Sequence, residues 1–144
     1  MYLEDYIIGK TYPLEETSFT EEEIIKFAKE FDPRPIHLDK EAAKDLFFGD
    51  IIASGLHTAV KCWSVWVKTF NDAEGMIAGI GIDNLRWHQP VFPGDKLRGT
   101  ITIQDVSPRE GRPNGVVTYH LNVINQHDKD VMSFTAKALV KRRD

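Results

Sequence analysis

The segment 32–37, with the sequence DPRPIH, places a carboxylate and an imidazole five residues apart in a stretch stiffened by two prolines. An aspartate beside a histidine holds the orientation of the imidazole ring and raises its basicity, and such a pair activates water near neutral pH. The alternative is a turn in which Asp32 bonds to local backbone and His37 packs at the surface. The residue types alone leave both interpretations open.

A second candidate lies at the predicted start of a long apolar helix, where Ser54 precedes Gly55. The first N–H groups of a helix lack intrahelical partners and carry the positive end of its dipole. Because glycine lets a ligand oxygen approach the backbone closely, this helix start suits a developing oxyanion. The alternatives are an ordinary cap with Ser54 as N-cap residue, and capping or packing for His57 in the first turn.

The sequence lacks the motifs of several cofactor and metal enzymes. The Gly-Lys-Thr at 9–11 has no upstream glycine of a phosphate loop, and the Gly-Ile-Gly at 79–81 lies in a strand pattern with no helix after it. Neither G-x-S-x-G nor H-E-x-x-H occurs. His88, His120 and His127 lack the spacing of metal ligands. We therefore expect no metal and no cofactor.

Two helices are predicted to flank the loop that contains Asp32. Thr20 and Glu23 have the spacing of a capping box, and the apolar pattern that follows predicts a helix ending before Pro33. Asp39 suits the N-cap of a short helix over Lys40–Leu46. The segment 32–37 between them is expected to be extended or turning.

A long central helix is predicted over Leu56–Phe70, closed by Asn71-Asp72 and Gly75. Its apolar stripe, at alternating steps of four and three, consists of Leu56, Val60, Trp63, Val67 and Phe70. Ala59, Cys62 and Trp66 widen that stripe, so the helix is expected to be largely buried. The aromatic residues also suggest a filled core with room for a short ligand chain only.

The rest of the chain alternates in the manner of β-strands between turn-forming residues. The predicted strands are Met76–Trp87, Lys96–Val106, Val116–Gln126 and Val131–Lys141, with one more near Lys10–Phe19. The long helix is the only element apolar enough to cover one face of their sheet. The expected fold class is α+β, with an antiparallel sheet around a buried helix in a single domain over residues 1–144.

Three segments together resemble the MaoC-like (R-specific enoyl-CoA hydratase) branch of the hot-dog-fold proteins. They are DPRPIH at 32–37, Gly55 eighteen residues later in SGLHT, and RWHQPVFPGD at 86–95. The resemblance runs from about Lys10 to Arg142. It implies a single hot-dog fold, which is a curved antiparallel β-sheet wrapped around a long central α-helix. It also implies that Asp32 and His37 activate water while the N–H of Gly55 polarises a thioester carbonyl.

The activity implied by the resemblance is a hydratase/dehydratase that interconverts 2-enoyl and 3-hydroxyacyl thioesters of CoA or acyl-carrier protein. Phe31 and Arg34 stand where the fullest family pattern has Gly and Asn, so Phe31 is expected to narrow the mouth of the site. Arg34 either pairs with Asp32 and lowers its pKa or reaches a phosphate of the acyl carrier. Arg34, Ser54 and His57 are therefore the expected substrate-binding residues.

Two other activities stay open, namely a non-catalytic acyl-thioester-binding module and an acyl-CoA thioesterase. Gly55–Asn71 contains neither Asp nor Glu, which counts against the branches of the hot-dog group that carry a carboxylate on the central helix. The family resemblance also implies a homodimer or higher homo-oligomer.

Composition and charge exclude several other partners. The formal net charge is −4 and the isoelectric point is about 5.7, which disfavours nucleic-acid binding. The sequence shows no signal peptide and no apolar run near the ~20 residues that span a bilayer. The lone Cys62 cannot form an internal disulfide and is expected to be buried. A cytoplasmic location without membrane contact is expected.

Overall fold

The computed structural model describes residues 1–70 and 72–144. Its centre is one antiparallel sheet of five strands in the order β1-β3-β4-β5-β2. The strands are β1 (Thr11–Ser18), β2 (Met76–Trp87), β3 (Lys96–Pro108), β4 (Asn114–Ile124) and β5 (Asp130–Lys141). Each predicted strand is confirmed, with its ends within two residues of the prediction.

The alternation of residue types along the central strand β4 determines which of its faces lies in the core. Val117, Tyr119, Leu121 and Val123 alternate along it and are all buried. The intervening His120 and Asn122 are half-buried on the other face. Because side chains alternate between the two faces of a strand, the apolar set of β4 lies on one side of the sheet.

The helix α4 (Gly55–Phe70) lies on that apolar face. Ala59, Cys62 and Trp66 are buried, and the Trp66 ring lies 5.8 Å from the ring of Tyr119 on β4. An antiparallel sheet packed on a long central helix is the hot-dog arrangement, so the predicted α+β fold class is confirmed.

The opposite side of α4 differs from the prediction. Leu56, Val60 and Val67 are 50%, 56% and 43% exposed, so the expectation of a largely buried helix is wrong for this face. The helix is apolar on two sides, and the sheet of one chain covers only one of them. The predicted helix end at Asn71 lies outside the described residues.

The helix α1 (Glu21–Phe31) begins with the predicted capping box. The Glu23 N–H donates to Thr20 Oγ1 at 3.1 Å, and the Thr20 N–H donates to Glu23 Oε1 at 2.7 Å. Both donors would otherwise lack partners at the helix start. The helix ends at Phe31, so Asp32 follows as its C-cap residue.

The segment after Asp32 is more helical than predicted. A single helical turn, α2 (Pro35–Leu38), replaces part of the expected extended loop. A proline is tolerated at the first position of a helix because its missing N–H would have no partner there. The next helix, α3 (Lys40–Ala43), has the predicted Asp39 cap but is shorter than expected.

The two edges of the sheet differ in character. On β1, Pro13 lies within the strand, and the pairing with β3 is irregular between Leu14 and Thr17. On β2, Ile80 and Ile82 are exposed at 54% and 58%. Within the described residues, no helix combines the length and hydrophobicity that a membrane crossing requires.

Candidate active site

Three of the predicted site residues lie in direct contact. Asp32 at the end of α1 has its Oδ2 atom 3.4 Å from Nε2 of His37 on α2. The Ser54 hydroxyl, immediately before α4, donates a hydrogen bond to the same Oδ2 atom at 2.8 Å. Ser54 and His37 are both buried. The fold therefore brings together two segments that are 22 residues apart in the sequence.

The orientation of His37 is fixed by the backbone. Its Nδ1 atom lies 2.7 Å from the carbonyl oxygen of Ile52. Because a carbonyl can only accept, Nδ1 carries the proton in the neutral ring, and Nε2 is the acceptor that faces Asp32. The sequence led us to expect Asp32 to orient the ring, whereas Ile52 makes the direct hydrogen bond.

The charge state of Asp32 is set by three neighbours. Burial by itself raises the pKa of Asp32, but the hydrogen bond from Ser54 and the charges of His37 and Arg34 outweigh it and hold that pKa below its usual value. Arg34 Nη1 contacts Asp32 Oδ1 while the Arg34 side chain stays 73% exposed. Asp32 is thus a carboxylate at neutral pH, with Oδ2 turned toward His37.

Gly55 and His37 line the same cavity, which has a volume of about 420 Å³. Since α4 begins at Gly55, the N–H of this residue has no acceptor within the helix. The remaining walls are largely apolar and aromatic. They are formed by Phe48, Ile52, Ala53, Thr58, Trp87, His88, Gln89, Pro90 and Val91.

Two groups at the candidate site were not predicted from the sequence. The Ile52 carbonyl is a backbone group, which carries no residue-type signal. Trp87 lies in the segment 86–95, which carries part of the family resemblance but from which we predicted no site residue, yet its indole N–H donates to the Gly55 carbonyl oxygen at 2.9 Å. The signal that could have indicated Trp87 was an aromatic residue three positions before the Pro-Val turn at 90–91.

His57 is not brought to this group. Its ring stacks on Phe27 at 4.4 Å and packs edge-on against Phe19 at 4.7 Å. Burial lowers its pKa, and it does not line the cavity. The expected contact of His57 with substrate therefore gives way to the packing alternative.

Phe31 also differs from the expectation. Its ring is 61% exposed and lies 5.0 Å from Phe27, outside the cavity lining. The arginine at 34 rather than the phenylalanine at 31 is the departure from the family pattern that touches Asp32.

Among the described residues, the other reactive side chains form no second centre near this cavity. Cys62 is buried, and burial raises the pKa of its thiol to about 12, so it is not a nucleophile at neutral pH. In the described part of the chain, no three His, Cys, Asp or Glu side chains are grouped as metal ligands.

Comparison with known proteins connects the site to a family. The crystal structure of a MaoC-like dehydratase from Rhodospirillum rubrum is 36% identical, with a TM-score of 0.90 over 100% of this chain and 99% of that one. The uncharacterized protein YdeM of Bacillus subtilis is 30% identical over 142 residues, which cover 99% of this chain and all of YdeM.

A relative whose name states an enzymatic activity matches a shorter region of the chain. The mesaconyl-CoA hydratase of Cereibacter sphaeroides is 33% identical over 81 residues, which cover 56% of this chain and 24% of that protein. The model of the MaoC-like domain matches residues 6–125. The chain belongs to the family of MaoC-like domains.

Proposed function

We propose that this protein is a hydratase/dehydratase that interconverts 2-enoyl and 3-hydroxyacyl thioesters. The observation that carries the proposal is the pairing of Asp32 Oδ2 with His37 Nε2 at 3.4 Å, since His37 lines the same cavity as Gly55. A water that donates one proton to each of these two acceptors turns its lone pairs toward a substrate in the cavity.

In the hydration direction, the water oxygen forms a bond to C3 while His37 Nε2 accepts a proton from it. The electron pair of the C2–C3 double bond moves toward the thioester, and negative charge develops on its carbonyl oxygen. The N–H of Gly55 donates a hydrogen bond to that oxygen. Return of one proton to C2 completes the addition of water, and the reverse sequence is the dehydration.

Asp32 has a distinct part in this mechanism. Its lowered pKa keeps it ionised, so it accepts a hydrogen bond from the water and stabilises the imidazolium that forms on His37. The Ser54 hydroxyl fixes the carboxylate from the protein side. Ser54 therefore acts on Asp32 in this proposal and does not touch the substrate.

The relatives support a thioester substrate. One is a mesaconyl-CoA hydratase, whose name states a CoA thioester, and another is a MaoC-like dehydratase. CoA and acyl-carrier protein are the two carriers proposed. Arg34, which is 73% exposed beside the site, is the proposed contact for a carrier phosphate.

A non-catalytic acyl-thioester-binding module is the second candidate. The contact of Arg34 with Asp32 Oδ1 favours it, because a carboxylate held by a cation is a weaker partner for the imidazolium. The thioesterase has no comparable support, since Gly55–Asn71 contains no carboxylate.

We also propose that residues 1–144 form one domain and assemble as a homodimer through α4 and β2. Val60, Val67 and Ile82 are exposed and line one cleft of about 600 Å³ between these two elements. β2 is an edge strand, and no other strand among the described residues pairs with its outer edge. A second copy that adds its own β2 would pair with the backbone groups of that edge and cover the apolar side chains.

The deciding experiment adds crotonyl-CoA to the purified protein and follows the absorbance of the enoyl-thioester band beside a free-thiol assay. Loss of the band without thiol release is the expected result. Loss of the band with thiol release would establish the thioesterase instead. Binding without turnover, across crotonyl-CoA and a panel of longer and branched enoyl-CoA and acyl-carrier substrates, would establish the binding module.

A further inference from the structure

The indole of Trp87 lies directly on the first residue of α4. Its Nε1–H donates to the carbonyl oxygen of Gly55 at 2.9 Å. A Cβ atom at position 55 would lie only 2.6 Å from both Cδ2 and Nε1 of the indole. The ring therefore occupies the space of a side chain at this position, and the close contact requires a glycine.

This contact restricts the conformational freedom of Gly55. Glycine has the widest conformational freedom of any residue, and the first residue of a helix is prone to fray. The direction of the Gly55 N–H depends on the backbone angles of that residue. A hydrogen bond to its carbonyl and a ring against its Cα restrict both angles.

Trp87 is well placed to supply that restraint because its own backbone is anchored in the sheet. It pairs with Met132 on β5, and Met132 is fully buried. The next residue, His88, donates its N–H to the Val131 carbonyl at 2.7 Å. The sheet, and not a loop, thereby fixes the position of the first residue of α4.

The indole contributes less to the core than its size suggests. Trp87 is 48% exposed, and it lines the cavity beside His37 and Gly55. A residue retained only for core packing would be buried more completely.

We propose that Trp87 is a positioning residue, which holds the backbone of Gly55 so that its N–H points at the thioester oxygen. This inference rests on the proposed hydratase activity. It adds a residue that acts through Gly55 and that has no part in proton transfer.

The variant Trp87→Phe tests the hydrogen bond, since phenylalanine keeps a ring but lacks the indole N–H. We expect kcat for crotonyl-CoA hydration to fall about tenfold, while KM changes less than about twofold because Gly55 acts mainly in the transition state. The control is Tyr2→Phe, which removes an aromatic side-chain donor to Glu74 outside the cavity. It should leave kcat unchanged.

A double-mutant cycle tests whether Trp87 acts through Gly55. The Cβ atom in Gly55→Ala displaces the indole, so adding Trp87→Phe in that background should cost little further kcat. If Trp87 had only a structural role, the two reductions in kcat would multiply. Multiplication of the effects, or a Trp87→Phe kcat within twofold of wild type, would overturn the proposal.

An NMR measurement separates this inference from the proposed activity. The chain has three tryptophans, so Trp87→Phe identifies the indole N–H signal of Trp87. We expect that proton to exchange slowly with solvent although the side chain is half exposed. Fast exchange would overturn the hydrogen bond. Wild-type protein that hydrates no enoyl thioester would overturn the proposed activity and the catalytic role, while slow exchange would still establish the contact with Gly55.

Discussion

The Nδ1 atom of His37 lies 2.7 Å from the carbonyl oxygen of Ile52, and this contact couples the proposed base to the proposed oxyanion site. Ile52 is followed two residues later by Ser54, which binds Asp32, and then by Gly55. One short stretch of backbone therefore orients the base, fixes the carboxylate and supplies the N–H donor. The relative positions of the three groups depend on the geometry of four consecutive residues.

Replacement of His37 by alanine tests the proposed base. We expect kcat to fall by about 10²- to 10⁴-fold, the range for a general base, while the fold is retained. His127→Ala is the matched control, because His127 is an exposed turn residue. An alanine variant at 37 with wild-type kcat would exclude the proposed mechanism.

Replacement of Ser54 by alanine tests the fixation of Asp32. The variant removes the 2.8 Å hydrogen bond to Asp32 Oδ2, so we expect kcat to fall about tenfold and the pKa of Asp32 to rise. Ser64→Ala, within α4, is the control, since the Ser64 hydroxyl donates to the Lys61 carbonyl. Equal kcat values for the two variants would contradict the role of Ser54.

Replacement of Arg34 by glutamine tests the electrostatics of Asp32. Arg34 is one of the groups that lower the pKa of Asp32, so its removal should raise that pKa, as measured by NMR titration of the Asp32 carboxyl carbon. A carboxylate with a depressed pKa stabilises the folded protein above its unfolded pKa of about 4.

That contribution is lost as the pH falls from the unfolded pKa through the folded pKa. In Arg34→Gln the contribution should be smaller, and its loss should be complete at a higher pH than in wild type. The control Arg98→Gln removes the arginine of a surface pair with Asp128 and should leave the Asp32 titration unchanged. An Asp32 pKa that is identical in Arg34→Gln and wild type would show that the contact does not persist in solution.

Replacement of Ile82 by glutamate tests the homodimer. A charge in the cleft between α4 and β2 should prevent association, because an unpaired carboxylate buried at an apolar interface is costly. Light scattering should give twice the chain mass of 16.4 kDa for wild type and the chain mass for Ile82→Glu. Ile7→Glu, at a residue that is 59% exposed, should stay dimeric. A monomeric wild-type protein would refute this assembly.

The Cys62 thiol should be unreactive in the folded protein. Its pKa of about 12 and its burial leave almost no accessible thiolate at pH 8. A colorimetric thiol reagent should detect no cysteine in the native protein and one per chain in denaturant. Reaction of the Cys62 thiol in the native protein at pH 8 would mean that α4 separates readily from the sheet.

The sequence predicts most of the fold because its strands and caps are local patterns. The alternation along β4 and the spacing of Thr20 and Glu23 each predict the structure without distant information. The buried face of α4 is different, since the helix is apolar on two sides. Only the sheet determines that Trp66 faces the core and Val60 does not.

The candidate site likewise contains residues that the sequence predicts and groups that only the structure reveals. Asp32, His37 and Ser54 have side-chain types that indicate their chemistry, and the structure brings them together. The Ile52 carbonyl and the Trp87 indole act through positions that only the folded chain defines. His57 carries an equally suggestive side chain, yet its place between two phenylalanines follows from the packing of Phe27 on α1, and of Phe19 before α1, against α4.

The unequal edges of the sheet limit how far it can grow. Pro13 offers no N–H, the pairing of β1 is irregular between Leu14 and Thr17, and Glu15 and Glu16 in that stretch are both exposed. Strand addition at β1 is therefore disfavoured, while a further strand can still pair with the outer edge of β2. A sheet that can be extended from one side only forms a closed pair, so the same features that permit association through β2 protect the protein against fibrous aggregation.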